Sequence, residues 1–92
     1  MNNELLPIGS VVYTGNNSKQ LFIVGYGFRN KEGKMFDYIG FPYPEGFLSK
    51  KINFLFDREN IREVSFKGFS DEQFEIAKKN LGKVLDNKNG GE

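Results

Sequence analysis

The side chains able to do chemistry in this chain are few in kind. There is no histidine and no cysteine. That removes the commonest general base, the commonest metal ligand and the strongest protein nucleophile. It also excludes a disulfide framework and a thiolate zinc site. Carboxylate, lysine and tyrosine remain for acid–base work. Asp37 is the most suggestive of these, because it lies inside an apolar strand, where burial would raise its pKa. The plainer reading, and the preferred one, is an edge or turn aspartate bonded to backbone amides. Asp71, Glu72 and Glu75 form a small acidic cluster. They fall in the first turn of a helix, where the helix dipole favours negative charge without any catalytic purpose.

Phosphate and nucleic-acid signals are equally thin. Gly25-Tyr26-Gly27 lacks the third glycine and the following helix of a dinucleotide fingerprint, and reads better as a bulge that bends a strand. Asn16-Asn17-Ser18 matches a glycosylation pattern but is simply a loop in a chain that shows no signal peptide. Lys50-Lys51 and Lys78-Lys79 are ordinary solvated pairs.

One segment stands apart. Phe41, Pro42, Tyr43, Pro44, Glu45, Gly46 and Phe47 crowd three aromatics and two prolines into a short break between strands. Proline lowers the entropy lost on fixing a loop, and tyrosine offers rigid amphipathic area. The segment is therefore the candidate protein-binding surface, with Tyr43 as its anchor. The bland alternative is a rigid corner whose aromatics fold back on the core.

These residues need a scaffold, and the periodicity supplies one. Residues 11–14 are a short β-branched and aromatic run, followed by strong turn chemistry over 15–19. Residues 20–26 form a second strand that reads as covered on both faces. Residues 35–41 form a third. Pro42 and Pro44 break the ladder there, since proline lacks the donor a central strand needs. Residues 52–56 resume with Ile52, Phe54 and Phe56 at period two. Asp57–Asn60 is a turn, and 61–66 is the last strand, with Val64 and Phe66 directed inward. A helix over 71–85 follows. Ser70 is its expected N-cap, Gln73 completes a capping box, and Phe69 with Phe74 makes a hydrophobic staple. Phe74, Ala77, Leu81, Val84 and Leu85 form its apolar stripe.

The expected fold is thus α+β: a small twisted antiparallel β-meander of four to five strands with one C-terminal helix, its closed form being an SH3-like half-barrel. With 92 residues there is room for one domain, placed at 6–85, with a frayed start before it and a disordered polar tail over 86–92. Thirteen basic residues face twelve acidic ones, a net charge of +1. A nucleic-acid binder normally carries a strong basic excess, so no nucleic-acid partner is expected. The N-terminus has no basic, apolar leader, and no stretch approaches the roughly 20 apolar residues of a membrane span. A cytoplasmic protein with no membrane insertion and no cofactor is the expectation.

Three phrases of the sequence together resemble the family catalogued as domain of unknown function 4176. They are Leu6-Pro7-Ile8-Gly9-Ser10-Val11-Val12; Phe36-Asp37-Tyr38-Ile39-Gly40 followed by Tyr43-Pro44-Glu45-Gly46; and Phe56-Asp57 followed by Asn60-Ile61, Val64-Ser65-Phe66 and Gly68-Phe69. The resemblance covers about Leu6 to Phe74. Phe36 stands where tyrosine is common, and Asp57 and Asn60 stand where asparagine and aspartate are common. The resemblance implies a small accessory protein encoded beside type VII secretion loci and their LXG-type toxins. It implies a chaperone or targeting factor whose partner is a secreted toxin or effector of the same locus. An immunity protein and an SH3-like binder of single-stranded nucleic acid are the alternatives. No catalytic residue comes with the family, which agrees with the absence of a catalytic constellation in the residues themselves.

Overall fold

A computed structural model describes residues 4–88. Five strands form one antiparallel sheet: β1 (Val11–Thr14), β2 (Leu21–Arg29), β3 (Met35–Pro42), β4 (Phe54–Phe56) and β5 (Ile61–Phe66). A single 3₁₀ turn (Arg58–Asn60) precedes β5, and α1 (Glu72–Asp86) follows it. The strand order is β4-β3-β2-β1-β5. The first four strands are therefore a meander, and the last returns beside the first. The α+β meander with a C-terminal helix is the fold that the periodicity predicts.

The connection into β5 shows that the sheet curls. In a flat sheet the two edge strands would lie about 19 Å apart, four intervals of about 4.8 Å. Only residues 57–60 separate β4 from β5. Fully extended, five backbone steps reach about 17 Å, and most of these residues are wound in a turn that rises only about 2 Å per residue. The edges must approach each other. The bend is helped by a register shift in β2 between Ile23 and Gly25, which leaves Val24 as the extra residue, just before the Gly25-Tyr26-Gly27 stretch where a bulge is expected. β4 and β5 remain unpaired with each other, so the sheet is open.

The inner face carries the core. Val12, Leu21, Ile23, Tyr38 and Phe56 are buried together with Leu5, Leu6 and Leu85. Leu5 corrects the expected frayed start: with Leu6 it is part of the core. Its backbone is held from the sheet. The Leu6 amide donates to the Tyr38 hydroxyl at 3.0 Å, and the Tyr26 hydroxyl donates to the Leu6 carbonyl. Burial pushes both phenols up to about 12, aided at Tyr26 by the neighbouring Tyr38. The outer face is only partly covered. Phe22 and Val24 of β2 are half-buried there, not enclosed as a strand covered on both faces would be.

Several local expectations differ. β4 is three residues long, because Ser49 and Lys50 accept from Ile52 and Asn53 and turn the chain before Phe54. Val64 and Phe66 are exposed, since among the described residues β5 pairs only with β1 and no layer covers them. The N-cap of α1 is Asp71, not Ser70: the Asp71 carboxylate accepts from the Phe74 amide at 3.0 Å. That moves the staple positions onto Ser70 and Glu75, which meet through a 3.4 Å polar contact, and leaves Phe69 exposed. The helix turns Phe74, Leu81 and Leu85 toward the domain, while Ala77 and Val84 stay exposed at the margin of the stripe. Leu85 packs over Gly27, where an added Cβ would lie 3.7 Å from its Cδ2. Asp86 is the last helical residue and Lys88 is ion-paired with Asp37, so these residues of the expected tail lie against the domain. Residues 1–3 and 89–92 lie outside the described residues. Among the described residues, no helix is long and apolar enough to cross a membrane.

Candidate functional site

The aromatic-proline segment leaves the sheet at the end of β3. Pro42 is buried and lies opposite Leu21 in the ladder. Its missing donor is tolerated because β4 pairs only as far as Gly40 on the other side. Pro42 thus ends the strand in register rather than breaking the ladder, and it supports the loop from beneath. The Tyr43 amide donates to the Gln20 carbonyl, which ties the loop to the start of β2. The Tyr43–Pro44 peptide is cis. Gly46, at φ 78°, donates to the Pro42 carbonyl at 2.7 Å and closes the turn in a conformation that favours glycine. Glu45 meets Lys19 at 2.8 Å, and this hydrogen-bonded partner holds the exposed carboxylate below its ordinary pKa.

The loop's rings join a larger surface. Val11 is paired with Phe66 on one side and Phe22 on the other, and Phe22 is paired with Phe41. Directly opposed residues point to the same side of a sheet. Phe66, Val11, Phe22 and Phe41 therefore form one row across four strands on the outer face. Phe22 and Phe41 meet edge to face at 6.2 Å, and Phe47 lies against Phe41 at 5.4 Å. Tyr43 and Phe47 are 45% and 61% exposed. Beside them run two adjoining shallow grooves of about 490 and 250 Å³ that share Gly9, Val11 and Tyr43. The larger extends to Phe66, with Gln20 donating to Ser65 at 2.9 Å along it.

Of the candidate segment, the structure brings Phe41, Tyr43 and Phe47 onto this surface, with Pro44, Glu45 and Gly46 at its rim. Phe66 and Phe22 were missed as surface residues. The signal for Phe66 is hidden by a bulge: the register shift between Val11 and Val12 leaves Ser65 as an extra residue and turns Phe66 outward.

Asp37 lies near the start of β3, four residues before Phe41, in a charge cluster that the sequence did not reveal. It is 2% exposed. Its Oδ2 accepts from the Arg58 amide at 2.9 Å and from Arg58 Nε at 3.0 Å, and Lys88 Nζ lies 3.1 Å from Oδ1. Arg58 also reaches Asp86, and the Asp37 amide donates to Asp57. Burial by itself would raise the Asp37 pKa, but the bonds from Arg58 and Lys88 outweigh it and hold the carboxyl low. The same bonds raise Arg58 and Lys88 against their own burial. This sets aside the reading of a raised pKa and accords with the preferred one in that a backbone amide, that of Arg58, bonds the carboxylate, although the residue is buried rather than at an edge. A carboxylate locked in its charged form between two cations is poorly matched to general acid–base work near neutrality. It is well matched to fastening α1 to β3.

The fold and this geometry define a small open-sheet α+β module with an exposed aromatic face and a charge-latched helix. The chain belongs to the family described as Domain of unknown function (DUF4176), whose profile matches residues 5–76. That stretch includes the whole sheet and the aromatic loop. No curated protein and no solved structure matches the chain.

Proposed function

We propose that the chain is a non-enzymatic protein-binding accessory factor that contacts its partner through the outer aromatic face, with Tyr43 as anchor. The row Phe66, Val11, Phe22 and Phe41, continued by Phe47 and Tyr43, carries this reading. Contiguous exposed apolar patches mark interaction sites, and tyrosine is enriched where binding energy concentrates. Gln20, Ser65 and the Lys19–Glu45 pair supply a polar rim that selects orientation. The partner is another protein. The family resemblance favours a type VII secreted LXG-type toxin of the same locus, bound in the cytoplasm before export by a chaperone or targeting factor. The near-neutral charge argues against both an immunity factor matched to a charged active site and a nucleic-acid binder.

The test is Tyr43→Ala against wild type, with the partner identified by pull-down from the native host. Near-normal melting with about tenfold weaker binding, equivalent to about 1.4 kcal/mol, supports the reading. A large fall in melting temperature or unchanged affinity overturns it. Co-expression with the toxin separates the two roles. Improved toxin stability or export supports the chaperone. Protection of cells from cytoplasmic toxin assigns an immunity factor instead.

A further inference from the structure

The two edges of the sheet are not alike. β4 offers three residues and follows Lys50-Lys51, the kind of short, charged edge that resists pairing. β5 offers six, and Arg62 to Phe66 are all exposed. β5 contains neither lysine nor proline. Arg62 is turned back over the Tyr13 ring and onto the Gly15 and Asn17 carbonyls.

An apolar groove flanks this strand on each face. On the inner side, a groove of about 310 Å³, mostly apolar in its exposed surface, is lined by Leu6, Ile61 and Val64 together with Glu4, Arg58, Arg62 and Glu63. On the outer side lies the groove of Val11, Tyr43 and Phe66. The register places Val64 opposite inward-facing Val12, and Phe66 opposite outward-facing Val11. A strand laid along β5 sends successive side chains to opposite faces. It would therefore find an apolar socket for each set.

From this pairing of a free edge with two grooves, we infer that β5 accepts one extended, uncharged segment of a partner protein as a sixth strand. The segment is apolar on both faces, as a strand covered on both sides must be. Main-chain bonds to β5 supply affinity and the grooves supply selectivity. A second copy of β5 fits poorly. A two-fold centre that keeps five residues of each β5 paired falls on Glu63 or Val64: the first sets Glu63 opposite its own copy, and the second puts Arg62 opposite Phe66. Neither Met1–Asn3 nor Asn89–Glu92 contains a run of apolar residues that would serve. The inference concerns the backbone edge of β5 and does not rest on the role of Tyr43.

Random seven-residue peptides displayed on phage and selected against the full chain provide the probe. Selected sequences should be uncharged, rich in β-branched and aromatic residues, and free of proline. Synthetic copies should lose about tenfold in affinity when the amides along one edge are N-methylated, and less than about twofold when the other edge is. Val64→Lys, at an already exposed position, should weaken binding about tenfold, and amide exchange in β5 should slow on peptide addition. Selection of proline-rich, charged or helical peptides would overturn the inference. So would equal effects of methylating either edge, or a free chain that sediments as a dimer with β5 amides already protected.

Discussion

Replacing Asp37 by alanine should loosen the attachment of α1 and destabilise the whole domain. The substitution takes an almost fully buried acceptor away from the Arg58 amide and Nε and from Lys88. Hydrogen bonds to charged groups contribute about 1.5–3 kcal/mol each. The side chains of Arg58 and Lys88 are 15% and 18% exposed, so both regain some water, and Arg58 keeps its bond to Asp86. The expected loss is about 3 kcal/mol, near the low end for breaking a buried ion pair. For a domain of this size that corresponds to a fall in Tm of about 12–24 °C. Thermal and urea unfolding followed by circular dichroism read it directly. Asp37→Asn keeps the shape and one acceptor, and should lose about half as much. The pH dependence follows from the depressed pKa. A carboxyl that is more acidic folded than unfolded contributes stability fully above its unfolded pKa of about 3.9, and that contribution fades as pH falls through the lower folded value. Asp37→Asn should therefore flatten the acid limb of the stability profile. An Asp37→Ala protein that melts within about 2 °C of wild type would refute the latch and reopen a chemical role for this residue.

Other expectations are simpler. Asp71→Ala should cost about 1 kcal/mol through loss of the cap, whereas Ser70→Ala should stay within about 0.5 kcal/mol; urea midpoints distinguish them. Tyr38→Phe removes the acceptor of the buried Leu6 amide and should cost about 1–3 kcal/mol in the same assay. In an alkaline absorbance titration, Tyr26 and Tyr38 should ionise only near about 12, and Tyr26→Phe should remove one of these steps. Because both phenols are less acidic folded than unfolded, the stability they contribute is complete below about pH 10 and is lost as pH rises through their folded values. Gly68→Ala would drive a Cβ into the Ile8 carbonyl, and should lower Tm sharply by prising the β5–α1 connection from the N-terminal segment.

The sheet was legible because its strands follow period two and are separated by strong turn residues; the glycines at 25 and 27 marked an irregular stretch of β2, although the bulged residue is Val24, just before them. What escaped depends on partners far away in sequence. Leu5 reads as part of a polar terminus until Tyr26 and Tyr38 are seen to hold the adjacent Leu6. Asp37 reads as an isolated aspartate until Arg58 and Lys88 arrive from a turn and a tail. Val64 and Phe66 alternate as inward residues should, but strand alternation cannot say whether a layer covers the strand, and here none does. The aromatic loop was found from composition alone. Its continuation across β5, β1 and β2 required the register.

The position of β1 sets the order in which this domain can be assembled. The first strand of this sheet lies between β2 and β5, so its second neighbour is made only after some fifty further residues. The N-terminal segment waits for a tyrosine 32 positions downstream, and Asp37 waits for Lys88. At about 5–20 residues per second, a ribosome needs seconds to deliver the missing pieces. During that interval β1 and the leucines before it have no lasting place to bury themselves. The domain completes its fold only once Lys88 has been delivered, and earlier nascent chains present apolar sequence to whatever binding protein is at hand.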